Sequence, residues 1–162
     1  MKNLLIVRHA KSSFDIQGLK DFDRPLNDKG NKDAEIMARQ LINHEFIPDY
    51  IISSGAKRVL MTSQIIADVI EYDVDEIEIN NTIYNSSCDE VINIIQEASD
   101  EHNKLMITGH NPTFHFLSQI LSGENIIKFP ECSMFCIRFD IESWTFLVEG
   151  TKEFMIFPEL FI

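Results

Sequence analysis

Apolar positions along this chain fall into two regimes. Short continuous runs, Leu4-Leu5-Ile6-Val7, Tyr50-Ile51-Ile52 and Leu105-Met106-Ile107, are the mark of strands buried on both faces. Between them apolar residues recur every three or four positions, the helical period. Ala34, Met37, Ala38, Leu41 and Ile42 predict a helix from residue 27 to His44, capped by Asn27 or Asp28. Val59, Thr62, Ile66, Val69 and Ile70 predict a second helix, and Val91, Ile92, Ile95 and Ala98 a third that starts at Ser86 or Ser87. A fourth carries Phe114, Phe116, Leu117, Ile120 and Leu121, opened by Pro112 and stopped by Ser122-Gly123. Glu76-Ile77-Glu78-Ile79 alternates, which predicts a short edge strand.

Strands alternating with helices predict an α/β fold, a three-layer α/β/α sandwich on a mostly parallel central sheet. The last forty residues change character. Ser133 to Phe139, Trp144 to Val148 and Glu153 to Phe157 predict an antiparallel addition, with a turn at Asp140-Ile141-Glu142-Ser143. Eight phenylalanines, Phe114, Phe116, Phe129, Phe135, Phe139, Phe146, Phe154 and Phe157, are assigned to the core. Without repeats or linkers, residues 1–162 read as one domain.

The polar residues that end the strands carry the candidate chemistry, because ligands of open α/β sheets bind outside the carboxyl ends of the strands. The first run ends on Arg8 and His9, the second on Ser54-Gly55-Ala56-Lys57-Arg58, and the strand at residue 105 on Gly109-His110-Asn111-Pro112. An arginine offers a planar fork for an oxyanion, and a histidine a nitrogen that attacks or carries a proton near neutrality. Ser54 is expected to cap the second helix, so Arg58 on its first turn would add to a helix-terminal anion site. The long polar stretch from Lys11 to Pro25 brings Arg24 within reach, and its Lys11, Ser12 and Ser13 fit either a phosphate-binding nest or a plain turn. Taken alone, Arg8-His9 fits a surface pair at a strand end equally well.

Charge sharpens the picture. The formal net charge is −12, which argues against nucleic acid or an anionic membrane as partner, since both need a basic face. Three of only five arginines, Arg8, Arg24 and Arg58, would nevertheless face one crevice, and that points to a local anion site. Cys88, Cys132 and Cys136 match no metal or redox spacing and are expected as free thiols in a cytoplasmic protein. Asp15, Asp21 and Asp23 lack a compact ligand spacing and are read as turn residues, so no metal and no cofactor is expected. His44 is read as a helix-end residue, His102 as a solvated loop residue and His115 as a helix-surface residue. No signal peptide or membrane-length apolar run is seen.

Four segments in order, Arg8-His9-Ala10, Asp23-Arg24-Pro25-Leu26 followed by Gly30, Ser54-x-Ala56-x-Arg58 and Gly109-His110-Asn111-Pro112, resemble the histidine phosphatase superfamily, which shares its fold with phosphoglycerate mutase. The Arg-His-Ala-Lys-Ser-Ser opening and the short length resemble its SixA-type branch, the phosphohistidine phosphatases. The resemblance implies that His9 is a nucleophile forming a phosphohistidine intermediate, that Arg8 and Arg58 clamp the phosphoryl oxygens, and that His110 donates to them. Arg24 and Ser12 would be accessory substrate-binding residues. Two departures stand out. Ala10 replaces the commoner Gly, and the stretch Asn80 to Ser87, where many relatives place a glutamate, has no carboxylate before Asp89 and Glu90. A phosphate ester leaves as an alkoxide and needs a proton donor. A phosphohistidine leaves as imidazole, with a pKa of about 6.5, and needs far less help. The chain is therefore expected to be a metal-independent phosphatase acting on protein phosphohistidine. Asp15 and Asp89 are the carboxylates considered for an acid role. A small-molecule phosphomonoesterase with the same site and a non-catalytic phosphate- or phosphoprotein-binding module are the rival readings. A mutase is disfavoured, because the chain lacks room for insertions that would enclose a sugar diphosphate.

Overall fold

The computed structural model describes all 162 residues. β1 (Lys2–Arg8), β2 (Tyr50–Ser53), β3 (Glu78–Ile79) and β4 (Lys104–Gly109) run parallel to one another. β5 (Met134–Phe139) pairs antiparallel with β1, and β6 (Thr151–Ile156) antiparallel with β5. The six form one sheet in the order β3-β2-β4-β1-β5-β6. Along β1 the pleat sends Leu4 and Ile6 to one face and Leu5 and Val7 to the other. The first pair packs with residues of α3 (Cys88–Gln96) and α4 (Thr113–Ser122), such as Val91, Ile95, Phe114 and Leu117. The second pair packs with residues of α1 (Asp28–Asn43) and α2 (Lys57–Val69), such as Met37, Leu41 and Ile66. The result is the expected three-layer α/β sandwich.

Local signals set the helix ends. The Asn27 side chain accepts the Gly30 N–H at 2.8 Å and caps α1. Ser87 and Glu90 form a capping box at the start of α3. Gly123, with φ of 71°, ends α4 in the left-handed conformation that glycine takes without strain. Gly30 has a different purpose. A β-carbon there would collide with the carbonyl of Lys11, the same oxygen that accepts the Asn27 N–H. The bare backbone of α1 thus lies against the loop that leaves β1.

The register places the site. Arg8 lies opposite Gly109, and Ser53 opposite Thr108, so β1, β4 and β2 end level with one another. Two bonds extend the ladder past the strands: His9 N–H to Gly109 O at 3.1 Å and Ser54 N–H to Thr108 O at 3.1 Å.

Several expectations are corrected. Trp144 to Val148 is not a strand; Trp144–Phe146 forms a 3-10 turn. The indole explains it: Trp144 is buried, its Nε1–H donates to His102 O at 2.8 Å, and its backbone N–H donates to Asp100 Oδ1 at 3.0 Å. A plugging aromatic with these partners leaves no ladder to join. The buried Lys2 ammonium lies by the same turn and donates to Asp100 O, His102 O and Asn103 Oδ1. Glu76 belongs to a 3-10 turn at Val74–Glu76, and only Glu78–Ile79 pairs, at the sheet edge. Phe116 and Phe146 are exposed, because one sits on the outer face of α4 and the other on the turn after Trp144. His102 does lie in a loop but is only partly solvated, its ring stacked on Tyr50 at 4.3 Å. His115 is half-buried, its Nε2 donating to Ile126 O at 2.6 Å.

Candidate active site

His9 leaves the end of β1 and turns inward, buried. Its Nδ1 lies 2.7 Å from the carbonyl oxygen of Ala10. A carbonyl only accepts, so the proton sits on Nδ1 and the Nε2 lone pair is left bare. Ala10 in turn donates its N–H to Thr62 Oγ1 at 3.1 Å, and Thr62 donates to Arg58 O at 2.7 Å. The first turns of α2 therefore brace the residue that fixes the His9 tautomer. Burial pushes the His9 pKa down to about 3, with Arg58, His110 and Arg8 adding to the shift against the Ala10 carbonyl.

His110 follows β4 and meets His9 edge to face, ring centroids 5.7 Å apart. Burial, then the Arg58 charge, lowers its pKa to about 4. Its two nitrogens face different partners: Nδ1 lies 3.4 Å from Arg58 Nη2, and Nε2 lies 3.0 Å from Ser54 Oγ. A guanidinium only donates, so Nδ1 is the acceptor and Nε2–H donates to Ser54. Ser54 was expected to cap α2. It instead accepts from His110 and from Ala56 N–H, and α2 begins without a side-chain cap.

The arginines flank the histidines. Arg8 donates from Nη1 to Phe129 O at 3.0 Å, and burial lowers its pKa. Arg58 is buried on the first turn of α2. The Nε–H groups of both Arg8 and Arg58 are buried and have no partner within the protein. The positive charges of the two guanidinium groups bear on both His9 and His110.

Arg24 and Ser12 are brought together, but with each other. Arg24 donates from Nη1 to Ser12 Oγ at 2.7 Å and to Ser13 O at 3.1 Å, and from Nε and Nη2 to Asp21 Oδ1 at 3.0 and 2.9 Å. Its guanidinium also lies 4.3 Å from the Phe14 ring centroid. The carboxylate that reaches the site is thus Asp21, not Asp15 or Asp89. Asp21 accepts from Arg58 Nη2 at 3.1 Å and from the Tyr84 hydroxyl at 2.6 Å on Oδ2, and its carbonyl accepts from Arg58 Nη1 at 2.8 Å. The Tyr84 hydroxyl foremost, then the two guanidinium groups, holds this carboxyl far below the usual range. Asp21 and Tyr84 are the site residues that the sequence reading missed; Ser54 is at the site as expected, but it serves His110 and not the helix. Beside His110 a cleft of about 350 Å³ opens between Arg58, Tyr84, Asn85, Asn111 and Thr113.

The pattern that defines the histidine phosphatase superfamily (branch 1) matches residues 4–83, which include Arg8, His9 and Arg58. A protein of Agrobacterium tumefaciens assigned as the phosphohistidine phosphatase SixA shares 26% identity and superposes with a TM-score of 0.84 over 97% of this chain and 98% of its own.

Over residues 4–83 this chain is similar to the histidine phosphatase superfamily.

Its fold is also that of the protein histidine phosphatase SixA complexed with tungstate, at a TM-score of 0.85, 20% identity and 99% coverage of both chains. An uncharacterized chloroplastic protein of Arabidopsis thaliana is 29% identical over 151 residues, 88% of this chain and 69% of that protein. No helix is long and apolar enough to cross a membrane.

Proposed function

We propose that this protein is a phosphatase that transfers a phosphoryl group from protein phosphohistidine to His9 Nε2 and from there to water, without a metal ion. The observation that carries the reading is the bond from His9 Nδ1 to Ala10 O at 2.7 Å. It leaves Nε2 unprotonated and oriented, as an attacking nitrogen must be. In the first step a bond forms from Nε2 to phosphorus while the bond from phosphorus to the substrate imidazole breaks, and that imidazole takes its proton from solvent. In the second, water attacks phosphorus, the bond to Nε2 breaks, and inorganic phosphate leaves. Arg8 and Arg58 neutralise the phosphoryl oxygens with their guanidinium charge, which is what phosphoryl transfer asks of its site. His110 gives its one N–H to Ser54 and accepts from Arg58, so in this arrangement it steadies the Arg58 guanidinium and does not itself donate to the phosphoryl oxygens. Ser12 and Arg24 hold the loop beside it.

The substrate class follows from the proton inventory. Asp21 is ionised, held that way by Tyr84, Arg24 and Arg58, and Asn80 to Ser87 contains no carboxylate. A site without a carboxylic acid favours a leaving group of about imidazole basicity over an alkoxide. The SixA-type proteins that share the fold, one of them complexed with the tetrahedral oxyanion tungstate, support the same reading. The experiment is turnover of a phosphohistidine peptide and of p-nitrophenyl phosphate side by side, with His9→Ala as control. The expected result is preference for the peptide, an acid-labile phosphoenzyme in the wild type, and neither in His9→Ala. Equal activity of wild type and His9→Ala overturns the role of His9. Preference for the ester, or for sugar phosphates, assigns the site to small molecules. Phosphopeptide binding without any turnover assigns it to a binding module.

A further inference from the structure

The phosphate-clamp reading leaves one strong group unused. Asp21 lies in the short 3-10 turn Asp21–Asp23, far in sequence from every strand end, yet it makes two bonds to Arg58, two to Arg24 and one to Tyr84. A carboxylate beside a phosphate clamp invites two opposite interpretations: it competes with the phosphoryl group, or it aims the clamp.

The atoms decide. Asp21 takes one hydrogen from Nη1 and one from Nη2 of Arg58, which together form the outer end of the fork. The second Nη2 hydrogen goes to His110 Nδ1 at 3.4 Å, and the Nε–H is closed off from solvent. The second Nη1 hydrogen is left without a protein partner, so a phosphoryl oxygen that takes it has no need to displace Asp21. A fork gripped at its outer end also cannot swing or slide, which is the pre-organisation that charge stabilisation requires. Tyr84 and Arg24 fix the gripping carboxylate from opposite sides: Tyr84 on Oδ2, Arg24 on Oδ1. Arg24 in turn is tied to Ser12 and Ser13 on the loop that leaves β1.

We propose that Asp21 is a positioning residue for the reaction: through its carbonyl and carboxylate it orients Arg58 toward the phosphoryl group, with Tyr84 and Arg24 holding it in place. It touches neither the substrate nor the reacting atoms, and it donates no proton. The inference rests on the reading of Arg58 as a phosphoryl clamp and names what keeps that clamp in register.

A double-mutant cycle on the full chain tests it, with p-nitrophenyl phosphate turnover and competitive inhibition by tungstate as the two readouts. Asp21→Ala is expected to lower kcat/KM by about 10- to 100-fold, the cost of a misplaced positioning group, and to weaken tungstate inhibition in parallel. Asp21→Asn keeps the backbone acceptor and one side-chain oxygen, and is expected to lose less than Asp21→Ala. In an Arg58→Ala background, adding Asp21→Ala is expected to change either readout by less than about twofold, because the group it acts through is already gone. Equal losses in both backgrounds, or tighter tungstate inhibition in Asp21→Ala, overturn the positioning role; the second outcome means that Asp21 competes with the anion. If Arg58→Ala itself keeps wild-type turnover and inhibition, the clamp reading fails, and that result is distinct from a failure at Asp21 alone. Thermal unfolding of each variant separates a loss of fold, which lowers both readouts together with the melting temperature, from a loss of aim, which does not.

Discussion

His110 Nε2 and Ser54 Oγ lie 3.0 Å apart, across the ends of the neighbouring strands β4 and β2. The serine accepts the imidazole proton and so presents Nδ1 to Arg58. Ser54→Ala removes that acceptor and strands the Ala56 N–H as well. We expect a stability loss of about 1–3 kcal/mol in urea titration, the cost of unpaired buried donors. We also expect kcat/KM to fall by about tenfold or more as the His110 ring loses its orientation.

The two buried histidines make stability depend on pH. Their folded pKa values, about 3 for His9 and about 4 for His110, lie below the ordinary value of 6.5. Below about pH 6.5 the unfolded chain binds protons that the folded chain refuses, so stability falls as pH drops. The fall continues until the folded values are reached. Urea midpoints at about pH 7 and about pH 5 should show this loss, and His9→Gln should reduce its slope. The same depression keeps Nε2 of His9 free to attack. After allowance for ionisation of the substrate's own phosphate, kcat/KM should show no acid limb from His9 above about pH 5.

Arg58→Lys is a severe change despite the retained charge. The fork meets Asp21 O, Asp21 Oδ2 and His110 Nδ1 together, and a single ammonium cannot hold that planar spread. Turnover should fall by about 100-fold or more. Because Asp21 keeps Arg24 and Tyr84, the melting temperature should move little.

Gly30→Ala tests the contact between α1 and the loop that leaves β1. Alanine is the better helix former by about 1 kcal/mol, which alone predicts stabilisation. The colliding atom is the Lys11 carbonyl, backbone that is held by Asn27 N–H. Overpacking at about 1–3 kcal/mol should win, and thermal unfolding should show a lower midpoint. Activity at low temperature should fall too, since the displaced loop carries Ser12 to Arg24.

What could be read from the chain follows its periodicity. Arg8, His9, Arg58 and His110 sit one or a few residues beyond apolar runs whose strand character is plain, and the parallel sheet brings strand ends to one edge. Asp21 has no such marker. It lies in a polar stretch with Asp15 and Asp23, and only the path of the loop shows which of the three meets Arg58. Ser54 carried a familiar helix-cap signature, but its hydroxyl is claimed by a histidine 56 residues away. Trp144 misled for a related reason. Its neighbours have strand propensity, while its indole is fixed by His102 and its backbone N–H by Asp100, at the far end of the sheet. Local pattern specifies the elements; contacts between distant segments decide which polar groups they serve.

Strand order also dictates when catalysis becomes available to a folding chain. β4 is inserted between β1 and β2, so the two strands that bear His9 and the approach to Arg58 never pair with each other. A fragment ending at residue 83, the limit of the family match, would leave both with open edges and an empty lane between them. Closing that lane requires loop closures spanning tens of residues, the kind of topology that slows folding. Competence to transfer phosphate should therefore arise in one late, cooperative step, with no partially active species ahead of it.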